Sequence, residues 1–470
     1  MHHASRYYWI ALGAFILAFS GGTLAAFEDF PLGILGATGR ATPNLSHIEL
    51  IAVHDGSPAH QAGLQTGDRI TGIAGRLFPP HTDNVDDGGN GPQRILGEAL
   101  DDVAANQAEA DRQLPLLVVR SKESDAKEND TKVEELTCPL PYRPSVLQEP
   151  GRRQLLQRAA SHLRKTCHPK GYWNAPVGLS GDRVLTAWAT IAIKSLGDPL
   201  DADLLRRCRL WLQGPEERAW LQEDPLKKGP DNLGNWALTA TAVALVEGCE
   251  GQPSPSEKKT LQLLCETLQQ RMNDQGRFGH DVVVGYSGKG FNVINTLSHL
   301  AWAMGSKAGI PIDTPSWNLS LDQIRQSIDP NGGIRYWTMK NTGTADASLR
   351  TSSMALGLSL ANQEDELVNT FSDYLDQHRS RTREAHAVGS LGMLLTPATL
   401  RRYDPAAYQR FLSEWRWYLS LMQDHQGKIH YIGGKRNNGG DSYLGTDRIA
   451  CAIAIMILSP ADGKLILFGT

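Results

Sequence analysis

NTLSHLAWAM, residues Asn295 to Met304, is a short apolar run threaded with small residues. It has five relatives in the same chain: LTAWATIAI from Leu185, LTATAVALV from Leu238, RTSSMALGLSL from Arg350, AHAVGSLGMLL from Ala385 and GTDRIACAIAIMIL from Gly445. They recur roughly every fifty residues, a period at the upper end for helical repeat arrays. Thr186, Thr239, Thr296, Thr351 and Thr446 take equivalent early positions in five of them. More polar, amphipathic stretches stand between, among them EKKTLQLLCETLQQRM from Glu257 and AYQRFLSEWRWYLSLM from Ala407. A turn of the form polar-Gly-(x)-aromatic or aliphatic often follows: HPKGYW from His168, NDQGRFGH from Asn273, DPNGGIRYW from Asp329 and DHQGKIHY from Asp424.

A unit of outer helix, glycine turn and inner helix cannot bury both its faces alone, so neighbouring units must stack. Six such hairpins over residues 153–470 predict a closed, all-α (α/α) toroid. The pattern resembles the terpenoid-cyclase and prenyltransferase type of toroid, whose repeats carry a Gln-Gly-aromatic turn.

Ahead of it, HIELIAVHDGSPAHQAGLQTGDRITGIAGRLF (His47 to Phe78) reads as a different unit. An alternating strand leads to Gly56-Ser57-Pro58-Ala59, a short helix ends at Ala62-Gly63-Leu64, and Gly67-Asp68-Arg69-Ile70 opens the next strand. A helix around Ile95 to Ala110, a strand over LPLLVVR from Leu114 and a last strand through VEELTCPL complete the set. These offsets resemble a PDZ domain, a small α+β fold, over residues 27–142, with Ala74 standing where asparagine is often seen. The resemblance implies capture of a peptide C-terminus by strand addition, with the carboxylate held on backbone amides. Two apolar-Gly-apolar triplets fit the loop that does this, Leu32-Gly33-Ile34 and Leu35-Gly36-Ala37. Residues 143–152 are the expected linker. A PDZ domain followed by this toroid, with SEWRWYLSLMQDHQGKIHY near the end, resembles a family of exported bacterial proteins whose toroid is a domain of unknown function.

The first 26 residues read as an export signal: Arg6, the apolar core WIALGAFILAF from Trp9, then the small residues SGGTLAA. Its core is shorter than the ~20 residues a membrane span needs. A periplasmic or secreted protein is therefore expected, on the membrane only if that segment is retained. Six cysteines show no CxxC pair, so neither a zinc knuckle nor a thioredoxin-type site is indicated. Cys208 and Cys451 read as buried thiols, and a Cys249–Cys265 bridge across a helix hairpin is one open pairing. The net charge of -4 leaves no basic excess for a nucleic-acid partner. No metal or cofactor is expected.

Chemical templates fail one by one. VVVGYSGKGFNVINTLSHL (Val282 to Leu300) has Gly290 where a phosphate loop needs Ser or Thr, Val293 where a dinucleotide loop needs its third glycine, and Lys289 where a nucleophile elbow ends in glycine. A protonating cyclase needs an acidic DxDD cluster, which the sequence lacks. What remains is the rim formed where the inner helices begin, whose free amides favour anions. Its polar residues are Asp182, Arg183, Asn235, Trp236, Asn295, His299, Arg350, Asp441, Tyr443, Asp447 and Arg448, all expected to line a cavity. His386, Glu384, Tyr286 and Asn292 are the catalytic candidates. They are the residue types with which polysaccharide lyases remove the proton beside a uronate and neutralise its carboxylate. Eleven tryptophans against ten phenylalanines suit either helix packing or sugar stacking, with Trp173, Trp236, Trp302 and Trp337 as the stacking candidates. Two functions are thus expected: a PDZ-containing binding protein that takes peptide C-termini and presents a ligand cavity, or a lyase-like enzyme acting on an extracellular glycan. Enzyme or not, the sequence leaves open.

Overall fold

The structure, a computed structural model, describes residues 29–41, 45–80, 91–120, 133–214, 221, 224, 226–229, 231–284, 288–337, 344, 346–384, 389–433, 444–461 and 464–469. The expected export segment lies outside them.

The first unit is an antiparallel sheet of seven strands: β1 (Phe30–Pro31), β2 (Ala37–Ala41), β3 (Ile48–Val53), β4 (Arg69–Ile73), β5 (Arg76–Leu77), β6 (Gln113–Val119) and β7 (Val133–Pro139). Their order is β1-β2-β3-β4-β6-β7, with β5 folded back onto β4. Leu114, Leu116 and Val118 of β6 are buried while the residues between them are not, the period of two that a strand imposes. Helix α1 (Pro58–Gln61) starts at Ser57, whose hydroxyl accepts the His60 N–H. Helix α2 (Gly91–Ala104) turns Leu96, Leu100 and Ala104 inward. It begins earlier than the sequence pattern suggests, because Pro92 is tolerated in a first turn whose N–H groups have no helical partner anyway.

The rest is an all-α toroid. Outer helices α3 (Gly151–Thr166), α5 (Ala202–Gln213), α7 (Pro255–Arg271), α9 (Thr314–Gln326), α11 (Asp365–Gln377) and α13 (Pro405–Leu421) alternate with inner helices α4 (Leu179–Ser195), α6 (Gly234–Gly248), α8 (Asn292–Lys307), α10 (Ser348–Ala361), α12 (Gly389–Tyr403) and α14 (Asp447–Leu458). Each inner helix packs on the next, and α14 packs back on α4, which closes the ring. The inner helices are buried nearly all round; Gly234 to Glu247 is buried without a break. This is why their sequences look apolar on every face rather than striped. Small residues let them approach: a Cβ on Gly357 of α10 would stand 3.0 Å from the Leu300 nitrogen of α8.

The four glycine turns are one device used four times. In each, the first residue's N–H bonds the carbonyl four residues on, and the glycine's N–H bonds back to the first residue's carbonyl: His168 with Tyr172 and Gly171, Asn273 with Arg277 and Gly276, Asp329 with Gly333 and Gly332, Asp424 with Lys428 and Gly427. The glycines have φ of 90°, 75°, 88° and 83°, a left-handed backbone that a side chain would strain. Each also rests on the outer helix that comes next round the ring. Gly171 meets Arg207 and Cys208 of α5, Gly276 meets Leu319 and Ser320 of α9, Gly332 meets Thr370 of α11, and Gly427 meets Arg158 of α3. The last of these joins the final hairpin to the first.

The five threonines are not equivalent. Thr186 and Thr351 accept the backbone N–H of Trp173 and Ile334, tying a turn to its inner helix. Thr446 instead caps α14 by accepting the Ile449 N–H. The other end of the ring carries the C-terminal segment: Leu465, Leu467 and Phe468 are buried there, and the Glu247 carboxylate accepts the Ile466 and Leu467 N–H groups at 3.0 and 2.8 Å.

The two units are packed together through α13, which lies on α2 and on the 33–35 turn. Arg94 pairs with Glu414 at 2.7 Å, Arg416 with Asp102, and the buried Arg143 guanidinium donates to Ser420 and Gln423. Ser145 and the Val146 N–H both bond the buried Asp101 carboxylate, so residues 143–146 are wedged into this contact.

Candidate functional site

The rim was the expected site, and the backbone claims most of its polar side chains. Asn235 donates to the Gly279 and Asp281 carbonyls at 3.0 Å each and accepts from Arg271. Arg271 also pairs with Asp281 at 2.8 Å, both side chains buried. Asn292 donates to the Arg335 carbonyl, and Asn295 holds the Gly276 turn by donating to its carbonyl and accepting the Phe278 N–H. Arg350 donates to the Ile334 carbonyl and to Asp346. Arg183 donates to the Leu212 carbonyl and lies 5.1 Å from the Trp211 ring centroid. Trp236 donates to His280 Nδ1 at 2.8 Å. Glu384 is buried, with Arg383 Nε 3.9 Å away. Tyr286, His386, Asp441 and Tyr443 fall outside the described residues.

His299 corrects an expectation. Expected to line a cavity, it is instead fully buried, and among the described residues neither ring nitrogen has a hydrogen-bond partner. It sits edge-on to Trp302 and Trp317, with ring centroids 5.6 and 4.2 Å away. Burial holds its pKa down to about 3, and it is a neutral core residue. Trp173 and Trp302 are also core, their indole N–H groups spent on the Leu163 and Cys265 carbonyls. Trp337 is half-buried, with Lys289 Nζ 5.8 Å from its ring centroid.

One stretch of the rim is different: the seam where the last hairpin meets the first. Asp424 opens the fourth glycine turn, and its Oδ1 accepts the Gln426 and Lys428 N–H groups at 2.9 Å each. Its Oδ2 lies 2.8 Å from His430 Nε2. Burial works against this carboxylate, yet the His430 contact and the two amides hold it below the usual range. The other His430 nitrogen, Nδ1, is 3.7 Å from Asp447 Oδ1, and Asp447 Oδ2 is 3.0 Å from Lys428 Nζ. His162 on α3 feels Asp447, Lys428 and Arg448, and burial lowers its pKa. Arg448 donates to the Asn174 carbonyl at 2.6 Å, and Asp182 accepts the Ala175 N–H at 2.5 Å. Burial raises the Asp182 pKa, with nearby Asp231 adding to the effect.

Of the expected cavity residues, then, Asp182, Asp447 and Arg448 come together. Sequence reasoning missed their companions His162, Asp424, Lys428 and His430. A signal was present, because after Gly427 the chain alternates: Ile429 is buried while Lys428 and His430 stay accessible. Among the described residues no group of three or more His, Cys, Asp or Glu is placed to hold a metal ion. No helix of the described residues is long and apolar enough to cross a membrane.

The expected peptide loop has a different setting. Leu32, Gly33, Ile34, Leu35 and Gly36 are all buried. A Cβ on Gly33 would stand 2.7 Å from the Ser420 carbonyl oxygen of α13, and one on Gly36 would stand 2.7 Å from His425 Nδ1. Strand β1 pairs with β2 through Phe30 opposite Gly39 and Pro31 opposite Thr38, so part of the β2 edge away from β3 is taken.

A PDZ sheet docked on a closed ring of six helical hairpins defines the class, a PDZ-coupled α/α toroid. Residues 50–87 match the PDZ domain, and residues 154–469 match DUF6288, a domain of unknown function; the chain belongs to that family. No curated protein matches it. Similar solved structures include the type II terpene cyclase MstE from Scytonema at 12% identity, covering 66% of this chain and 99% of that one with a TM-score of 0.43. A protein from Actinoplanes is similar at 13% identity, 68% and 99% coverage and 0.43. So is the Lin0763 protein from Listeria innocua, at 8% identity, 66% and 97% coverage and 0.44. The closed cycle of contacts between inner helices makes the second unit a toroid.

Proposed function

We propose that this is an exported ligand-binding protein whose toroid engages an acidic glycan at the seam, with the PDZ domain bracing the hairpin that closes the ring. The PDZ class implies peptide partners in general. Here α13 of the same chain lies against both the 32–36 loop and α2, where a peptide terminus would otherwise dock. A partner's C-terminus therefore competes with α13 for this place.

The observation that carries the glycan reading is the convergence of Lys428, Arg448, His162 and His430 with Asp182, Asp424 and Asp447. Lys428 and Arg448 are the cations that suit a uronate carboxylate, and the carboxylates accept sugar hydroxyls. The test is binding of a polyuronate panel to the mature protein. Lys428→Ala is expected to weaken binding about tenfold, equivalent to about 1.4 kcal/mol. Equal affinity of variant and wild type for every glycan would defeat the assignment.

A second reading, a lyase-like enzyme, draws on His430. An imidazole with a carboxylate 2.8 Å from one nitrogen has the arrangement of an oriented base. Unsaturated product from a polyuronate, abolished in His430→Ala and retained in His386→Ala, would favour it over simple binding.

A further inference from the structure

All six cysteines are free thiols in the structure, but two of them meet. Cys167 ends α3 immediately before the first glycine turn, and Cys208 lies in the middle of α5. The Cys167 thiol donates to the His168 carbonyl at 3.4 Å, which leaves its sulfur to interact with the Cys208 thiol. The backbone holds them there independently of the sulfurs: Gly171 packs so closely on α5 that a Cβ would stand 2.4 Å from the Arg207 carbonyl carbon and 2.7 Å from the Cys208 nitrogen. Arg207 in turn donates to the Pro169 carbonyl at 2.9 Å. The four other cysteines are placed differently. Cys249 donates to the Val246 carbonyl of its own helix, Cys265 lies against Gly305, and Cys138 and Cys451 are buried in separate units.

We infer that Cys167 and Cys208 form a redox-active thiol pair that closes to a disulfide, stapling the first rim turn to the neighbouring outer helix. The pair is asymmetric in the way such chemistry needs. Cys167 is half-buried and reachable, while Cys208 is fully buried. The hydrogen bond with Cys208 lowers the Cys167 pKa despite partial burial, with Arg207 nearby helping, whereas the same contact and burial raise that of Cys208. Cys167 is the attacking thiolate. It displaces one thiolate from a disulfide-bearing oxidant, giving a mixed disulfide at Cys167 Sγ. Cys208 then attacks that sulfur, its proton going to the second departing thiolate. Two protein thiols lose two electrons, and the oxidant's disulfide is reduced to two thiols.

The consequence reaches the seam. The turn that the bridge would pin runs on to Trp173, whose N–H bonds Thr186, to Asn174, whose carbonyl holds Arg448, and to Ala175, whose N–H bonds Asp182. Oxidation thus stiffens one wall of that cluster, although the pairing itself stands on the seating of the first glycine turn against α5 and not on that assignment.

The experiment uses the reduced protein, transferred to buffer poised with oxidised glutathione, and counts free thiols by alkylation and mass. The expected result is a fall from the six cysteines of the sequence to four, with Cys167 and Cys208 linked in the digest. Cys167→Ser retains its five thiols, and Cys208→Ala accumulates a glutathione adduct on Cys167. Circular dichroism of both variants confirms that they fold. Retention of all six thiols at an oxidising poise, or a digest that links Cys249 to Cys265 instead, overturns the inference.

Discussion

Gly97 of α2 lies directly on the backbone of Trp417 in α13: a Cβ there would stand 2.6 Å from the Trp417 carbonyl oxygen and 2.9 Å from its Cβ. Nothing larger than glycine fits without parting the PDZ domain from the toroid. Gly97→Leu is therefore expected to cost about 1–3 kcal/mol, the usual penalty for overfilling a packed contact. It should also sensitise residues 143–150 to proteolysis and expose the 32–36 loop. A peptide array of free and amidated C-termini then reads the PDZ domain directly. Selective capture of free C-termini by the variant alone is the expected outcome, while capture by wild type at equal strength shows that α13 does not compete.

Glu247 gives the C-terminal segment a pH dependence. Burial pushes its carboxyl up to about 7, only partly offset by the two amides it accepts. The folded state thus holds a proton that the unfolded state has released from about pH 4.5 upward. Between those values stability falls as pH rises, by up to about 1.4 kcal/mol for each pH unit. Denaturant titrations from pH 4.5 to 7 should show this slope in wild type and its reduction in Glu247→Gln. An unchanged slope in the variant would assign it elsewhere.

His299 acts on the acid side. Its folded pKa of about 3 lies below the ordinary 6.5, so the unfolded chain takes up a proton that the folded protein refuses. Its contribution to stability is complete above pH 6.5 and is lost progressively as pH falls towards 3. Replacing it with leucine removes a buried polar ring that has no hydrogen-bond partner among the described residues and substitutes an apolar side chain of similar volume. His299→Leu should flatten the acid limb of the stability curve while changing the neutral value by less than about 2 kcal/mol. A steeper acid limb in the variant would show that the histidine is charged in the fold.

Ala74 is a strained residue with a simple remedy. It joins β4 to β5 in a two-residue turn with Gly75, and both have positive φ, 50° and 75°. Turns of this kind favour Asn-Gly, because asparagine enters the left-handed region more readily than alanine. Ala74→Asn is expected to stabilise the PDZ unit by about 1 kcal/mol, read as a rise in its unfolding midpoint. A lowered midpoint would mean that the turn is held by contacts the methyl group makes.

The repeat could be read from the sequence because it is local. Gly171, Gly276, Gly332 and Gly427 recur with a polar residue three positions earlier, and each such turn is closed by hydrogen bonds within five residues. The all-round apolarity of α6 likewise announced an inner helix. The seam was much less legible. Asp424 and His430 stand six residues apart, but Asp447 meets His430, His162 feels Asp447 and Asp182 feels Arg448 from other segments, and no spacing in the chain records that. Asn235, Asn292 and Asn295 misled in the opposite sense. Their position at helix starts suggested a rim open to ligand, and the backbone carbonyls that occupy them come from distant turns.

By itself, then, the amino-acid order determined a PDZ unit followed by six helical hairpins, since strand alternation, glycine turns and helix burial are each encoded over a few residues. Only the tertiary structure decided that the ring closes by seating Gly427 on Arg158, that α13 lies on the PDZ loop, and that the turn after Cys167 packs on the backbone of Cys208. Those contacts join segments dozens to hundreds of residues apart, and their geometry follows from how whole helices pack.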